Sequence, residues 1–170
     1  PSSGYESVAP LLNHLDANII ISDYEVFPLL QALEADKHEK ELNAFLHFML
    51  HETAHIAHQH KQNYADLLRW KIAQTLSGPE VNLYDYRLLA ELEEDPAYLL
   101  DAARKLISVG DTQQAFSIID DLATNYEPQT LADVRAQAYL QLEQPDMAVA
   151  TYQDYLTEFG SDAEIEQALA

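Results

Sequence analysis

From residue 64 onward, apolar residues recur every three or four positions, in runs that glycines and prolines separate. Three glycines follow such runs, at the places where helices commonly end: Gly78, Gly110 and Gly160. Four prolines lie at or near the starts of the next runs, where a missing N–H is tolerated: Pro79, Pro96, Pro128 and Pro145. The pattern predicts helices of about 12 to 16 residues joined by short turns. We expect an all-α fold.

The C-terminal half repeats with an offset of 33 residues. Small residues recur at equivalent places in the two copies, Ala103 with Ala136 and Ala115 with Ala148. Larger residues recur likewise, Leu106 with Tyr139 and Ile119 with Tyr152. The small residues allow two antiparallel helices to approach closely. A helix pair of this kind cannot bury its apolar face alone, so it must stack on a copy of itself.

Residues 97–161 resemble two tetratricopeptide repeats. The resemblance rests on segment 108–116, Ser-Val-Gly-Asp-Thr-Gln-Gln-Ala-Phe, and on segment 136–139, Ala-Gln-Ala-Tyr. It implies a right-handed superhelix of stacked helix pairs. The units it implies are a degenerate repeat at 63–96, repeats at 97–128 and 129–161, and a capping helix at 162–170. Glu143 stands where the family usually has glycine.

The resemblance also implies a concave groove that binds a peptide or a partner protein. The candidate residues on its inner face are Leu100, Arg104, Asp133, Gln137 and Gln141. Only one of the five is a cation, unlike the lysines and asparagines of members that grip C-terminal carboxylates. We therefore expect a basic or amphipathic partner, with self-association as an alternative.

The charge of the chain narrows the classes of partner. The 170 residues include 29 acidic and 9 basic side chains, a net charge of −20, of which −14 belongs to residues 63–170. This excess repels nucleic-acid phosphates and anionic lipid, so we expect neither as a partner. Alternatively, the acidic excess serves only to keep the surface solvated or adapted to high salt, and attracts no partner. The start, residues 1–4, resembles no signal peptide, so we expect a cytoplasmic protein, although a mature exported form would look the same.

Residues 1–62 are distinguished by histidine. Six of the seven histidines lie between residues 38 and 60. At 100° per residue, four of them fall on one face of a helix beside an apolar sector: His47, His51, His55 and His58. We expect an N-terminal, histidine-rich helical segment with its own chemistry. A short β-branched run at 18–22 is compatible with a strand or with a helix end.

Residues 51–55 read His-Glu-Thr-Ala-His, the HExxH pattern. In this pattern two imidazoles on a helix bind zinc, and the glutamate, here Glu52, acts as general base on a metal-bound water. Residues 41–60, and segment 51–60 above all, are similar to the active-site helix of the M48 zinc metallopeptidases. That resemblance implies His51 and His55 as ligands, with Glu91 of segment 91–95 as the third and with His47 and His58 as alternatives.

Two functions follow from the sequence. The first is a protein–protein interaction module of the tetratricopeptide-repeat type with an acidic surface. The second is a zinc-dependent metallopeptidase fused to such repeats. For the histidines themselves, a non-catalytic metal site and a purely structural role remain open.

Overall fold

The computed structural model describes residues 28, 30, 31, 34, 39–75 and 81–169. The run at 18–22, Gly78 and Pro79 lie outside these residues. The chain divides into two compact units. The first contains the residues up to 78 together with Glu91–Glu94, and the second contains Pro79–Ala90 and Asp95–Ala170.

The described residues form helices and no strand, which confirms the all-α prediction for this part of the chain. The elements are α1 (Glu39–Glu52), a 3₁₀ turn (Ala54–Ile56), α2 (Lys61–Thr75), α3 (Leu83–Glu93), α4 (Ala97–Ser108), α5 (Thr112–Leu122), α6 (Pro128–Gln141), α7 (Pro145–Phe159) and α8 (Ala163–Ala168). Pro128 and Pro145 each occupy the first turn of a helix, as the sequence predicts.

In the first unit, α1 packs against α2. Apolar side chains of both helices are fully buried: Leu42, Leu46, Met49, Leu67 and Leu68. The Tyr64 hydroxyl donates a hydrogen bond to the Leu50 carbonyl oxygen at 2.9 Å, so its polar end is satisfied inside this core. Because α2 packs on α1, it belongs to the first unit.

Helix α1 ends at Glu52, so a single helix does not carry all four histidines of the predicted stripe. The residue that follows, Thr53, is fully buried, and its hydroxyl donates to the Met49 carbonyl oxygen at 2.6 Å. A threonine hydroxyl that bonds the carbonyl four residues back competes with the helix's own backbone hydrogen bonds. Residues 54–56 then form a 3₁₀ turn, which places His55 outside α1.

In the second unit, α4 packs against α5 and also against α6, while α6 packs against α5 and α7. The four small residues of the predicted repeat are all buried: Ala103, Ala115, Ala136 and Ala148. Leu106 and Ile119 are buried as well, and Tyr139 and Tyr152 are half-buried. The packed helices are therefore compatible with a helical repeat.

Two of the turns in this unit have the same backbone hydrogen bonds, 33 residues apart. After α4, Gly110 has φ +87°, and the Asp111 N–H donates to the Leu106 carbonyl at 2.9 Å. After α6, Glu143 has φ +58°, and the Gln144 N–H donates to the Tyr139 carbonyl at 2.9 Å. Both are Schellman helix ends, which need one residue in the left-handed region.

Candidate functional site

The second unit contains an open groove of about 450 Å³ between α6 and α7. Its apolar lining includes Leu131, Ala132 and Tyr139 from α6 and Ala150, Tyr155 and Phe159 from α7. On α7 the lining positions recur every three or four residues from Met147 to Phe159. One face of α7 therefore borders the groove over about 18 Å, at 1.5 Å per residue.

Two apolar side chains at opposite ends of this α7 face are open to solvent. Met147 is 46% exposed and Phe159 is 53% exposed. Phe159 rests against Tyr155, with ring centroids 5.1 Å apart, so its position is defined by an aromatic contact. Exposed apolar side chains that border a concave surface are typical of an interaction site.

The charged residues of the groove are one arginine and two carboxylates. Arg135 forms an ion pair with Asp120, at a distance of 2.5 Å between its Nη2 and the aspartate Oδ1. Asp154 and Glu158 lie one helical turn apart on α7, and both are exposed. Because Asp120 already pairs with the arginine, the groove presents an excess of negative charge.

None of the five residues predicted for the partner groove lines this one. Leu100 is 2% exposed and belongs to the core. Arg104 is exposed and pairs with Asp101 at 3.4 Å. Asp133 is half-buried, whereas Gln137 and Gln141 are exposed. The α6–α7 groove is therefore a different surface from the partner groove that the family resemblance implies, and that partner groove stays a prediction.

Asp133 has an unusual electrostatic environment. Burial raises the pKa of its carboxyl group above the ordinary value of 3.8, and the negative charges of Glu164 and Asp162 raise it further. A hydrogen bond from Tyr152 and the positive charge of Arg104 act in the opposite direction but do not cancel the effect. Burial and the Asp133 carboxylate likewise raise the pKa of the Tyr152 hydroxyl. These groups connect α6 and α7 rather than presenting a free binding surface.

The predicted metal ligands of the first unit are arranged differently from the HExxH expectation. His51 Nδ1 lies 3.0 Å from the Glu52 Oε1, and the rings of His47 and His51 have centroids 6.3 Å apart. His58 Nε2 lies 3.7 Å from the Glu91 Oε1. Glu91, the predicted third ligand, therefore faces His58, not His51 and His55 as a pair.

The segment that contains Glu91 forms further ion pairs within the first unit. Lys61 Nζ lies 3.1 Å from Glu94 Oε1, and Arg69 pairs with Glu93. Among the described residues, no three histidine or acidic side chains are placed so that they could hold one metal ion together. The coordinates thus do not assemble the triad of His51, His55 and Glu91.

Comparisons with protein-family models, with curated proteins and with solved structures find no match for this chain. In the part of the chain that the structure describes, no helix is both long and apolar enough to cross a lipid bilayer.

The residues that line the α6–α7 groove were missed by the sequence analysis. The sequence does contain a signal for these lining residues. Met147, Thr151, Tyr155 and Phe159 are spaced four residues apart and so lie on one face of α7. Apolar spacing of this kind ordinarily marks the buried face of a helix. Only the exposure of the two end residues distinguishes this face as open, and exposure is a property of the folded unit.

Proposed function

We propose that the second unit is a protein–protein interaction module of the tetratricopeptide-repeat type, and that its α6–α7 groove binds a basic, amphipathic helix of a partner protein. The observation that carries the proposal is the groove itself, which combines an apolar lining with the exposed carboxylates of Asp154 and Glu158. An amphipathic helix matches both features. Its apolar face contacts the lining, and its cations lie next to Asp154 and Glu158, which form the acidic rim of the groove.

The helix contacts support the repeat assignment. In a stack of helix pairs, the first helix of a pair contacts its own partner and the first helix of the next pair. Helix α4 has this pair of contacts, with α5 and with α6. The matching turns at Gly110 and Glu143 give the two pairs the same spacing in sequence.

The charge of this region favours a cationic occupant. Residues 129–170 contain eight acidic side chains and one basic side chain, Arg135, which is already paired. A cationic helix gains attraction on approach and neutralises the rim once bound, whereas an anionic one is repelled. The length of the groove, about 18 Å, corresponds to about three turns of helix.

The test uses two fluorescent peptides of 18 residues that share one apolar face and carry either lysines or glutamates on the other. We expect the full chain to bind the lysine peptide, to leave the glutamate peptide unbound, and to lose affinity as NaCl is raised. Fluorescence anisotropy measures all three. An equal affinity for both peptides would contradict the electrostatic part of the proposal.

Two substitutions locate the binding surface. Ala150→Arg fills the groove with a long cation, and we expect it to weaken binding of the lysine peptide at least tenfold. Gln137→Arg adds the same side chain on the exposed face predicted from the family resemblance, and we expect less than a twofold change. If Gln137→Arg weakens binding and Ala150→Arg does not, the peptide binds on the Gln137 face of α6 and not in the groove. Sedimentation of the peptide-free chain shows whether a second copy occupies the groove instead.

The zinc metallopeptidase that the HExxH pattern implies has weaker support from the coordinates. Glu91 faces His58, and His55 lies in the 3₁₀ turn beyond the end of α1. Because no observation on the described residues favours peptide hydrolysis, we propose only the interaction module.

A further inference from the structure

We propose that α1 binds one divalent transition-metal ion through His47 and His51, a pair distinct from the HExxH pair. Both residues lie on α1, four positions apart, so their side chains project from neighbouring turns of one face. Both are exposed, His51 with 74% of its side chain. Their ring centroids are 6.3 Å apart.

This separation suits a shared ion. A metal that lies about 2.0–2.1 Å from each ligating nitrogen places the centroids of two imidazoles on the order of 5–6 Å apart. The observed distance is slightly longer, and a small rotation of the His47 side chain closes the difference. The helix backbone needs no change.

Glu52 prepares His51 for this role. Its Oε1 lies 3.0 Å from His51 Nδ1, and an ionised carboxylate can only accept a hydrogen bond. The proton of a neutral His51 therefore resides on Nδ1, and Nε2 carries the lone pair that a metal requires. A carboxylate that holds the other nitrogen of a ligating histidine also fixes the orientation of the ring. In this arrangement Glu52 is a positioning residue.

The pair also stands on a rigid element. On the other side of α1, Leu42, Phe45 and Met49 are buried, so the helix cannot rotate to turn its histidines away. His55 does not share this helix, because α1 ends at Glu52. His58 lies beyond the 3₁₀ turn, with its Nε2 3.7 Å from the Glu91 Oε1.

The chemistry of two imidazoles indicates which ions bind. Imidazole is a ligand of intermediate softness that suits Cu²⁺, Ni²⁺ and Zn²⁺, and Cu²⁺ forms the strongest complexes in the first-row series. Mg²⁺ prefers oxygen ligands and keeps its waters. Two protein ligands leave the remaining coordination positions to water, so the site is open and exchangeable.

The test is a calorimetric titration of the full chain with Cu²⁺ at pH 7.5 after dialysis against a chelator. We expect one ion per chain at this site and no heat with Mg²⁺. His47→Ala and His51→Ala should each lower Cu²⁺ affinity at least tenfold. His55→Ala and His58→Ala, which remove an exposed imidazole from the same segment, should change it less than twofold.

The same four variants contradict the proposal if the losses of Cu²⁺ affinity fall on the other pair of histidines. A tenfold loss in His55→Ala with none in His47→Ala would assign the metal to the HExxH pair. Equal losses in all four variants would indicate a diffuse histidine cluster. Glu52→Ala should weaken Cu²⁺ binding severalfold while circular dichroism keeps the wild-type helix content. An unchanged affinity in that variant would remove the positioning role and the geometry on which the proposal rests.

Discussion

Glu143 is a non-glycine residue in a backbone conformation that favours glycine. It adopts φ +58° at the end of α6. The equivalent residue after α4 is Gly110, which has no Cβ and accepts φ +87° without strain. A non-glycine residue in the left-handed region costs about 1–2 kcal/mol. The turn after α6 thus has the geometry of the turn after α4 without the residue that best fits it.

We expect Glu143→Gly to raise the free energy of unfolding by about 0.5–1 kcal/mol. The relief of backbone strain exceeds the extra freedom that glycine gains in the unfolded chain. Urea denaturation of wild type and variant measures the difference.

Two further substitutions test the cause of that gain. Glu143→Ala removes the same charge but keeps the Cβ, so it should not reproduce the stabilisation. Gly110→Ala should lose about 1 kcal/mol, because a Cβ there meets no atom within 4 Å and only the backbone angle penalises it. A stabilisation in Glu143→Ala equal to that in Glu143→Gly would identify charge as the cause.

At the scale of elements, the contact between α6 and α7 contains an ionisable group that opposes folding at neutral pH. Asp133 on α6 accepts a hydrogen bond from Tyr152 on α7, with Asp162 and Glu164 of the α8 region and Arg104 of α4 close by. Burial makes the carboxylate form less favourable in the folded state, so its folded pKa lies above the unfolded one.

The sign of the pH dependence follows from that difference. The stability associated with a raised carboxyl pKa is fully present below the unfolded pKa and is lost as pH rises through the folded pKa. Asp133→Asn keeps an oxygen acceptor for Tyr152 and removes the charge. We therefore expect the variant to be more stable than wild type at pH 7 and to lose most of that advantage near pH 4, close to the unfolded pKa of 3.8.

Urea denaturation at the two pH values measures this change, and Tyr152→Phe provides the control. The Tyr152 hydrogen bond lowers the Asp133 pKa, so its removal should steepen the loss of stability with rising pH. An Asp133→Asn advantage of equal size at pH 4 and pH 7 would show that the carboxyl titration contributes nothing.

Helix ends were the most predictable feature of the elements. Gly110 follows α4, and Pro128 and Pro145 begin α6 and α7, because φ freedom and a missing N–H act locally. The end of α1 was not predictable in this way. The histidine spacing continues past Glu52, but the buried Thr53 hydroxyl bonds the Met49 carbonyl, and burial depends on α2 packing over α1.

The groove was less predictable than the helices that form it. Helix α6 has polar residues such as Gln137 on one face and apolar ones such as Leu131 and Tyr139 on another. An apolar face is ordinarily buried. Which face stays open depends on how α5 and α7 are placed against α6, and no local pattern in the sequence encodes that placement. The family resemblance indicated Leu100, Arg104, Asp133, Gln137 and Gln141, and none of these residues lines the α6–α7 groove.

For the whole molecule, the net charge of −20 lowers the stability of the folded state while it attracts a cationic partner. Like charges crowded on a folded surface repel each other and destabilise the compact state. If the acidic rim serves binding, then removing carboxylates at the groove should stabilise the protein while it weakens the interaction. This coupling distinguishes a functional surface from one that is merely solvated.

We expect the double substitution Asp154→Asn with Glu158→Gln to show both effects. The two carboxylates lie four residues apart on α7, an arrangement that costs a helix about 0.2–0.5 kcal/mol for like charges. The variant should gain about this much stability at 20 mM NaCl and lose the gain at 500 mM NaCl, where charges are screened. Its affinity for the lysine peptide should fall at least tenfold.

The matched control is Asp121→Asn with Asp146→Asn, which removes the same two charges at positions that do not line the groove. Asp121 pairs with Arg87 at 3.7 Å, and Asp146 lies in the first turn of α7, where a negative charge favours the helix. The control should therefore gain no stability and keep its affinity for the peptide within twofold. If it weakens binding as much as the groove variant does, the peptide responds to the total charge of the chain, and the rim carboxylates have no specific role. If only the groove variant loses affinity, the stability that it gains measures what the wild-type surface gives up to present its acidic rim.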